Sequence, residues 1–492
     1  MVAGAVTFAH AQRPAQGGAV PSDSTRRAPG ALGAAAAAKP KPYNQVITDK
    51  AQTRVGLIIS HKIEDKYFFE VADSVLNRDI LVVSRISKSS ATLRDNQVYA
   101  GDQIGSSVIR FEKGPNNKLF IRKISFRAYS PDSTSSMYRN LQNSTVQNIA
   151  ASFNVAAYAK DNKGVVVDAT DFINSDNDVF YFSSPAAKTR FRLGAQLADR
   201  SFINTIRTFP TNTEINVTKT YSMSAAPTTG GAGGGGMMGG GGAAGSITIE
   251  LNTSLVALPK IPMKPRYFDP RVGYFAVGYT DFDANPQGVK DLALVKRWRL
   301  EPKPQDLAKY KRGELVEPAK PIIFYIDPAT PKKWVPYLIA GVNDWQKAFE
   351  KAGFKNAVIG KMAPTKAQDS TWSLDDARNS AIVYKPSEIP NASGPSISDP
   401  RTGEIMESHI NWYHNVMKLV RDWYFIQTAA VDKRARTVNF SDELMGDLIR
   451  FVSSHEVGHT LGLRHNHGSS STVPVENLRN KKWVEENGHT PS

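Results

Sequence analysis

His455-Glu456-Val457-Gly458-His459-Thr460-Leu461-Gly462-Leu463-Arg464-His465 decides how this chain is read. On a helix, His455 and His459 are four apart and project from one face. Glu456 sits beside the first histidine, within reach of a water on a metal held by both. Gly462 permits a sharp, often left-handed exit that a residue with a Cβ resists. The turn then brings His465 back to the same point. Three histidines at this spacing are zinc ligands, and three protein ligands leave a fourth position open, the catalytic rather than the structural arrangement of zinc. His455, His459 and His465 are therefore the candidate metal ligands, the cofactor is Zn2+, and Glu456 is the candidate catalytic base. The alternative is an ordinary amphipathic helix whose histidines are hydrogen-bonded core residues.

The flanking residues favour a helix. Ser441 predicts an N-cap, and Asp442 and Glu443 suit the positive end of the helix dipole. Leu444, Leu448, Phe451, Val452 and His455 follow at spacings of three and four, so the histidine face is expected to continue the buried stripe. Upstream, Ile322–Ile326 and Ala381–Tyr384 read as strands. Trp334–Ala352 reads as one helix ending at Gly353, and Asp399–Gly403 as a turn. Met406, Ser408, Ile410 and Trp412 alternate with Glu407, His409, Asn411 and Tyr413, the period of a strand. His409 and His414 there are packing residues by this reading, and His467 a loop residue.

Before residue 301 the pattern is mainly strand. Val108–Phe111 and Leu119–Phe126 flank Gly114-Pro-Asn-Asn117, a hairpin signal. Val165–Val167, Val179–Phe182, Ile247–Leu251 and Tyr274–Val277 add strands, and Leu141–Phe153 is expected to be helical. Residues 41–92 form a small β-rich unit with strands at Val55–Ile59, Lys66–Glu70 and Ile80–Val83, near the lower size limit for folding alone. The expected organisation is α+β and multidomain: 41–92 and 93–300 β-rich, then 301–492 a catalytic unit of mixed sheet and zinc-binding helix. Gly230–Gly245 is a glycine-rich insertion in the second region, without the spacing of a phosphate cradle. Residues 12–40, rich in Ala, Gly, Pro and Ser, read as a disordered linker. Val2–Phe8 followed by Ala9-His10-Ala11 makes 1–11 resemble the end of a secretory signal peptide.

Composition narrows the partners. The 492 residues contain no cysteine, which excludes disulfides, thiolate zinc sites and a cysteine switch over the metal. The net charge is +15, but the basic residues are scattered. Their densest cluster, Lys433-Arg434-Ala435-Arg436, is short, and no basic strip is interleaved with aromatics. Nucleic acid is therefore not an expected partner, and attraction to an anionic cell envelope is the charge reading that remains. No apolar run is long enough to span a bilayer.

The histidine motif resembles that of the metzincin clan of zinc endopeptidases. Lys41-Pro-Tyr-Asn44, Ser84-Arg-Ile-Ser87, Val167-Asp-Ala-Thr-Asp-Phe172, Asp269-Pro-Arg-Val-Gly-Tyr-Phe275 and Ser398-Asp-Pro-Arg-Thr-Gly-Glu-Ile405 are similar to stretches of a narrower group. These are the large secreted zinc-dependent metalloproteases of Bacteroidetes-type bacteria, with two uncharacterised regions ahead of the catalytic domain. The resemblance implies a peptide or protein substrate and a secreted, periplasmic or outer-envelope location in a Gram-negative cell. It also implies an edge strand lining the cleft, for which Met406–Trp412 is the candidate. Metzincins carry a methionine turn after the third histidine, whereas here no methionine follows Met445. The sequence is read as ending just before that turn, the alternative being a site closed differently. Two other functions stay open: a non-catalytic, zinc-containing envelope protein that binds peptide or glycan, and a zinc hydrolase of non-peptide amides.

Overall fold

Ile80-Leu-Val-Val83 is apolar at every position because both faces of its strand are covered. This is seen in the computed structural model, which describes residues 39–94, 98–182, 185–224 and 245–488. Strand Ile80–Lys88 lies between Gly245–Ala257 and Gln103–Gly114 in an eight-stranded antiparallel sheet. Ile80 and Val82 point into a core shared with a second, five-stranded antiparallel sheet built on Lys66–Ala72 and Gly164–Asp168. Leu81 and Val83 point the other way, onto Val108, Val256, Ala377 and Ile397. Fully burying each such side chain contributes about 1.5–3 kcal/mol.

The strands expected in 41–92 and in 93–300 are thus interleaved in one sheet and one core. The small N-terminal sheet closes over the large one, which supplies the apolar surface that fifty residues alone lack. Residues 1–11, nearly all of 12–40 and nearly all of the glycine-rich stretch fall outside the described residues.

The hairpin between Gln103–Gly114 and Lys118–Ile124 turns through Asn116 and Asn117, both at positive φ, as Gly-Pro-Asn-Asn predicts. Other expectations shift. Val55–Ile59 is not a strand; the ladder there pairs Gln52–Arg54 with Ile59–Ile63. Val179–Phe182 forms no strand, although Val179, Phe180 and Phe182 are buried in the sandwich core. The helix expected at Leu141–Phe153 ends early. Ser135 caps Ser136–Ser144, and Ile149–Asn154 joins the large sheet as a strand, where Phe153 reaches the core.

Downstream, five strands form a mixed sheet in the order Val358–Met362, Ile322–Ile326, Ser380–Lys385, His409–Tyr413, Ala392–Ser393. The first four are parallel and the last is antiparallel, at the edge. Helices Val335–Asn343 and Asp442–Thr460 pack on its core through Leu338, Val342, Ile449 and Val452. The single helix expected at Trp334–Ala352 is two, Val335–Asn343 and Gln346–Lys351. At the break, Asn343 accepts the Gly360 N–H (2.9 Å) and the Trp345 indole donates to the Ser454 carbonyl (2.8 Å). The strand expected at Met406–Trp412 also divides. Ile405–Glu407 pairs with Ile397–Ser398, while His409–Tyr413 lies inside the mixed sheet. It therefore cannot be the edge strand, a position that Ala392–Ser393 takes.

Polar contacts stitch the upstream sandwich to this sheet. Asn212 donates to the Asp375 carbonyl (2.7 Å) and accepts from the Ala377 N–H (3.0 Å), and Arg85 reaches Glu407 (3.3 Å). Beside them the buried Glu214 carboxyl accepts from Asn212, Asn252 and Ser254. Burial, helped by the Glu407 charge, pushes it up to about 7. A carboxyl whose folded value is raised contributes stability fully present below its unfolded value, 4.5, and lost as pH rises through about 7. The wild type is therefore expected to lose a few degrees of Tm between about pH 5 and about pH 8 that Glu214→Gln, neutral throughout, does not lose. Parallel pH profiles of Tm for the two proteins would remove Glu214 as the titrating group.

Candidate metal centre

Ser441 begins the histidine helix as its composition predicts. Its hydroxyl accepts from the Leu444 N–H (3.2 Å), with Asp442 and Glu443 in the first turn. The helix runs Asp442–Thr460. Its buried face is the expected one at Leu444 and Val452 but departs from it toward the histidines. Leu444, Ile449, Val452, Ser453, Glu456, Val457 and Thr460 point inward, while Phe451 and His455 are exposed and His459 half-buried. The histidines border the buried stripe instead of continuing it, and so face a space a ligand can enter.

The exit follows the sequence reading closely. Leu463 N–H bonds back to the Gly458 carbonyl (3.1 Å) and Gly462 N–H to that of His459 (3.0 Å). Gly462 has φ +104°, and a Cβ there would run into the Lys296 carbonyl oxygen. No other residue fits without moving that backbone. The turn brings His465 Nε2 to 3.1 Å from the Nε2 of both His455 and His459. His459 Nδ1 donates to the Leu463 carbonyl (2.8 Å), which fixes the proton on that nitrogen and leaves Nε2 as a lone pair.

This donor set fits zinc. Tetrahedral ligands at about 2.0–2.1 Å from a zinc ion lie about 3.3 Å from one another. The imidazole nitrogens are spaced close to that, and all three lie within 4.8 Å of one another. Burial, then the neighbouring His459 and His465, hold His455 down at about 4, in the neutral form that binds metals.

Glu456 is buried. Its carboxylate receives the Gly394 N–H, while Oε2 has no hydrogen-bond partner among the described residues. Burial pushes the carboxyl up to about 7. A buried, unsatisfied carboxylate oxygen is costly, and this one lies beside the histidine cluster. Gly394 follows the edge strand Ala392–Ser393, and a Cβ on it would stand 2.5 Å from the Glu456 carbonyl oxygen. Glycine thus lets that strand lie against the histidine helix.

A further wall had no signal in the sequence beyond the motif at 269–275. Tyr274 bridges Leu463, Phe275 N–H donates to the Gly462 carbonyl (2.8 Å), and Arg464 N–H donates to the Gly273 carbonyl (2.8 Å). The Phe275 ring stands edge-on to His459, centroids 6.0 Å apart. The Trp298 indole caps the Thr460 carbonyl (2.8 Å). The upstream region therefore frames the chain that carries the third histidine. Among the described residues no other histidine joins the cluster. His409 donates to the Asn379 carbonyl (3.2 Å), with its pKa lowered by burial, and His414 pairs with the Tyr384 hydroxyl (2.6 Å).

Comparison with known families agrees with this geometry. Residues 437–492 match the family described as Met-zincin. Residues 40–89 and 101–303 match two families described as domains of unknown function (DUF5118 and DUF5117). These are the matches of a metzincin-type protein with uncharacterised N-terminal regions, and at that level the C-terminal match marks a zinc metallopeptidase. No curated protein and no solved structure matches the chain. No helix among the described residues is long and apolar enough to cross a membrane.

Proposed function

We propose that the chain is a zinc-dependent endopeptidase with His455, His459 and His465 as metal ligands and Glu456 as general base. The observation that carries this is the meeting of three imidazole nitrogens beside a buried carboxylate with one oxygen unbonded among the described residues. Zinc, when bound there, supplies Lewis acidity, lowering the pKa of water to near 7 and polarising a carbonyl. Glu456 accepts the proton of the attacking water at its carboxylate and returns it to the leaving amine. The Gly394 N–H holds the other part of that carboxylate, which orients it without protonating it. Among the described residues no further strand pairs with the outer side of Ala392–Ser393, and an extended peptide can add there as a strand.

The test is digestion of an unfolded protein by the purified chain loaded with zinc. Internal fragments identified by mass spectrometry are expected, lost on chelation and regained on adding zinc. Cleavage indifferent to chelator would sink the metal reading, and release of terminal residues alone would sink the endopeptidase reading.

A further inference from the structure

A groove of about 260 Å³ runs between the upstream sandwich and the segment that follows the edge strand, with Gln103, Ser106, Ser107, Lys296, Ser396 and Ser398 among its lining residues. Both of its walls lead to the metal centre. Lys296 extends the ladder of Ala276–Asp281 with Lys290–Val295 by one residue, its N–H donating to the Phe275 carbonyl (2.8 Å). It is thus the cross-strand neighbour of the residue whose ring packs on His459. On the opposite wall, Ser396 lies two residues beyond Gly394, whose N–H meets Glu456.

Among the described residues, Lys296 is the one charged residue lining this groove. Its ammonium makes no hydrogen bond and no ion pair among the described residues. Burial lowers its pKa, with no charged neighbour close enough to offset this. A half-buried cation without a counter-ion costs stability, and an anion arriving in the groove recovers that cost. The anions that a peptide brings to such a place are carboxylates.

We propose that Lys296 is a specificity residue that binds a carboxylate of the peptide substrate in the groove beside the metal centre. This rests on the peptidase reading above. Two sources share the chemistry, an Asp or Glu side chain and a free C-terminus. The chain thereby favours acidic peptides, through a residue contributed from outside the histidine-bearing segment.

The test uses the full chain and dye-labelled peptides in matched pairs, Glu against Gln at one position and free acid against amide at the end, with binding read by anisotropy. The wild type is expected to bind one acidic member about tenfold or more tightly than its neutral partner, as for a charge-assisted hydrogen bond. Preference within the first pair assigns a side-chain carboxylate, and within the second the C-terminus. Lys296→Met should erase the preference, Lys296→Arg keep it and Lys296→Glu reverse it, all with unchanged zinc content. Lys296→Met should also hold or raise Tm, because an unpaired cation is removed, and Lys296→Gln serves as a second neutral variant. Equal affinity within both pairs in the wild type, or a preference that survives in the neutral variants, overturns the proposal. Cleavage of both members of each pair without preference leaves the peptidase reading standing and this one refuted. A lysine-dependent preference without any cleavage does the reverse.

Discussion

Glu456→Gln is expected to keep its zinc and lose at least about 10²–10⁴ in kcat, the usual weight of a general acid–base group. Glutamine keeps the size of the side chain and an oxygen that can accept the Gly394 N–H. It cannot take a proton from water. Folding should not suffer, because the substitution replaces a buried carboxylate oxygen that has no partner among the described residues with a neutral amide. Tm, zinc by elemental analysis and kcat on one peptide separate the outcomes. Activity within a few-fold of wild type would place the base elsewhere. Loss of zinc would mean that the carboxylate is a ligand and the centre is built differently.

The double variant His455→Ala, His459→Ala is expected to fall from one zinc per chain to none. The three Nε2 atoms form one cluster, so removing two leaves His465 alone, and one imidazole does not hold zinc against solvent. His455 is exposed, so its loss should cost the metal-free fold little; His459 gives up its hydrogen bond to the Leu463 carbonyl, and both give up their contact with His465. A second readout needs no catalysis. Zinc at about a thousand times its Kd stabilises a protein by about 4 kcal/mol. Zinc should therefore raise the Tm of the wild type and not that of the variant. Zinc content or a zinc-induced Tm shift that survives both substitutions would refute the ligand assignment.

Much of the geometry of the candidate centre was legible because its logic is local. Ser441, the acidic first turn, the four-residue histidine spacing and Gly462 act within one helix and its exit. Helix geometry and the left-handed allowance of glycine are properties of neighbouring residues. The hairpin at Asn116 and Asn117 and the strands Ile322–Ile326 and Ser380–Lys385 were legible for the same reason.

The errors share a cause as well. Leu141–Phe153 carries apolar residues that suit either period, and the sandwich decides by taking Ile149–Asn154 as a strand. Val179–Phe182 has strand composition but spends it on core packing. The run at 406–412 alternates well, yet alternation says nothing of whether a strand lies inside a sheet or at its edge.

The sequence by itself determined the meeting of the three histidines, the place of the glutamate beside the first of them and the turn that brings the third back, because helix periodicity and glycine stereochemistry fix them over eleven residues. Only the tertiary structure decided which face of that helix is buried, which strand forms the free edge, and that Gly273–Phe275 and Lys296 border the site. The contacts of Gly273–Phe275 and Lys296 with the helix exit join residues about 165 to 190 positions apart, and all of these features are selected by the packing of whole sheets, for which no short stretch of sequence carries a signal.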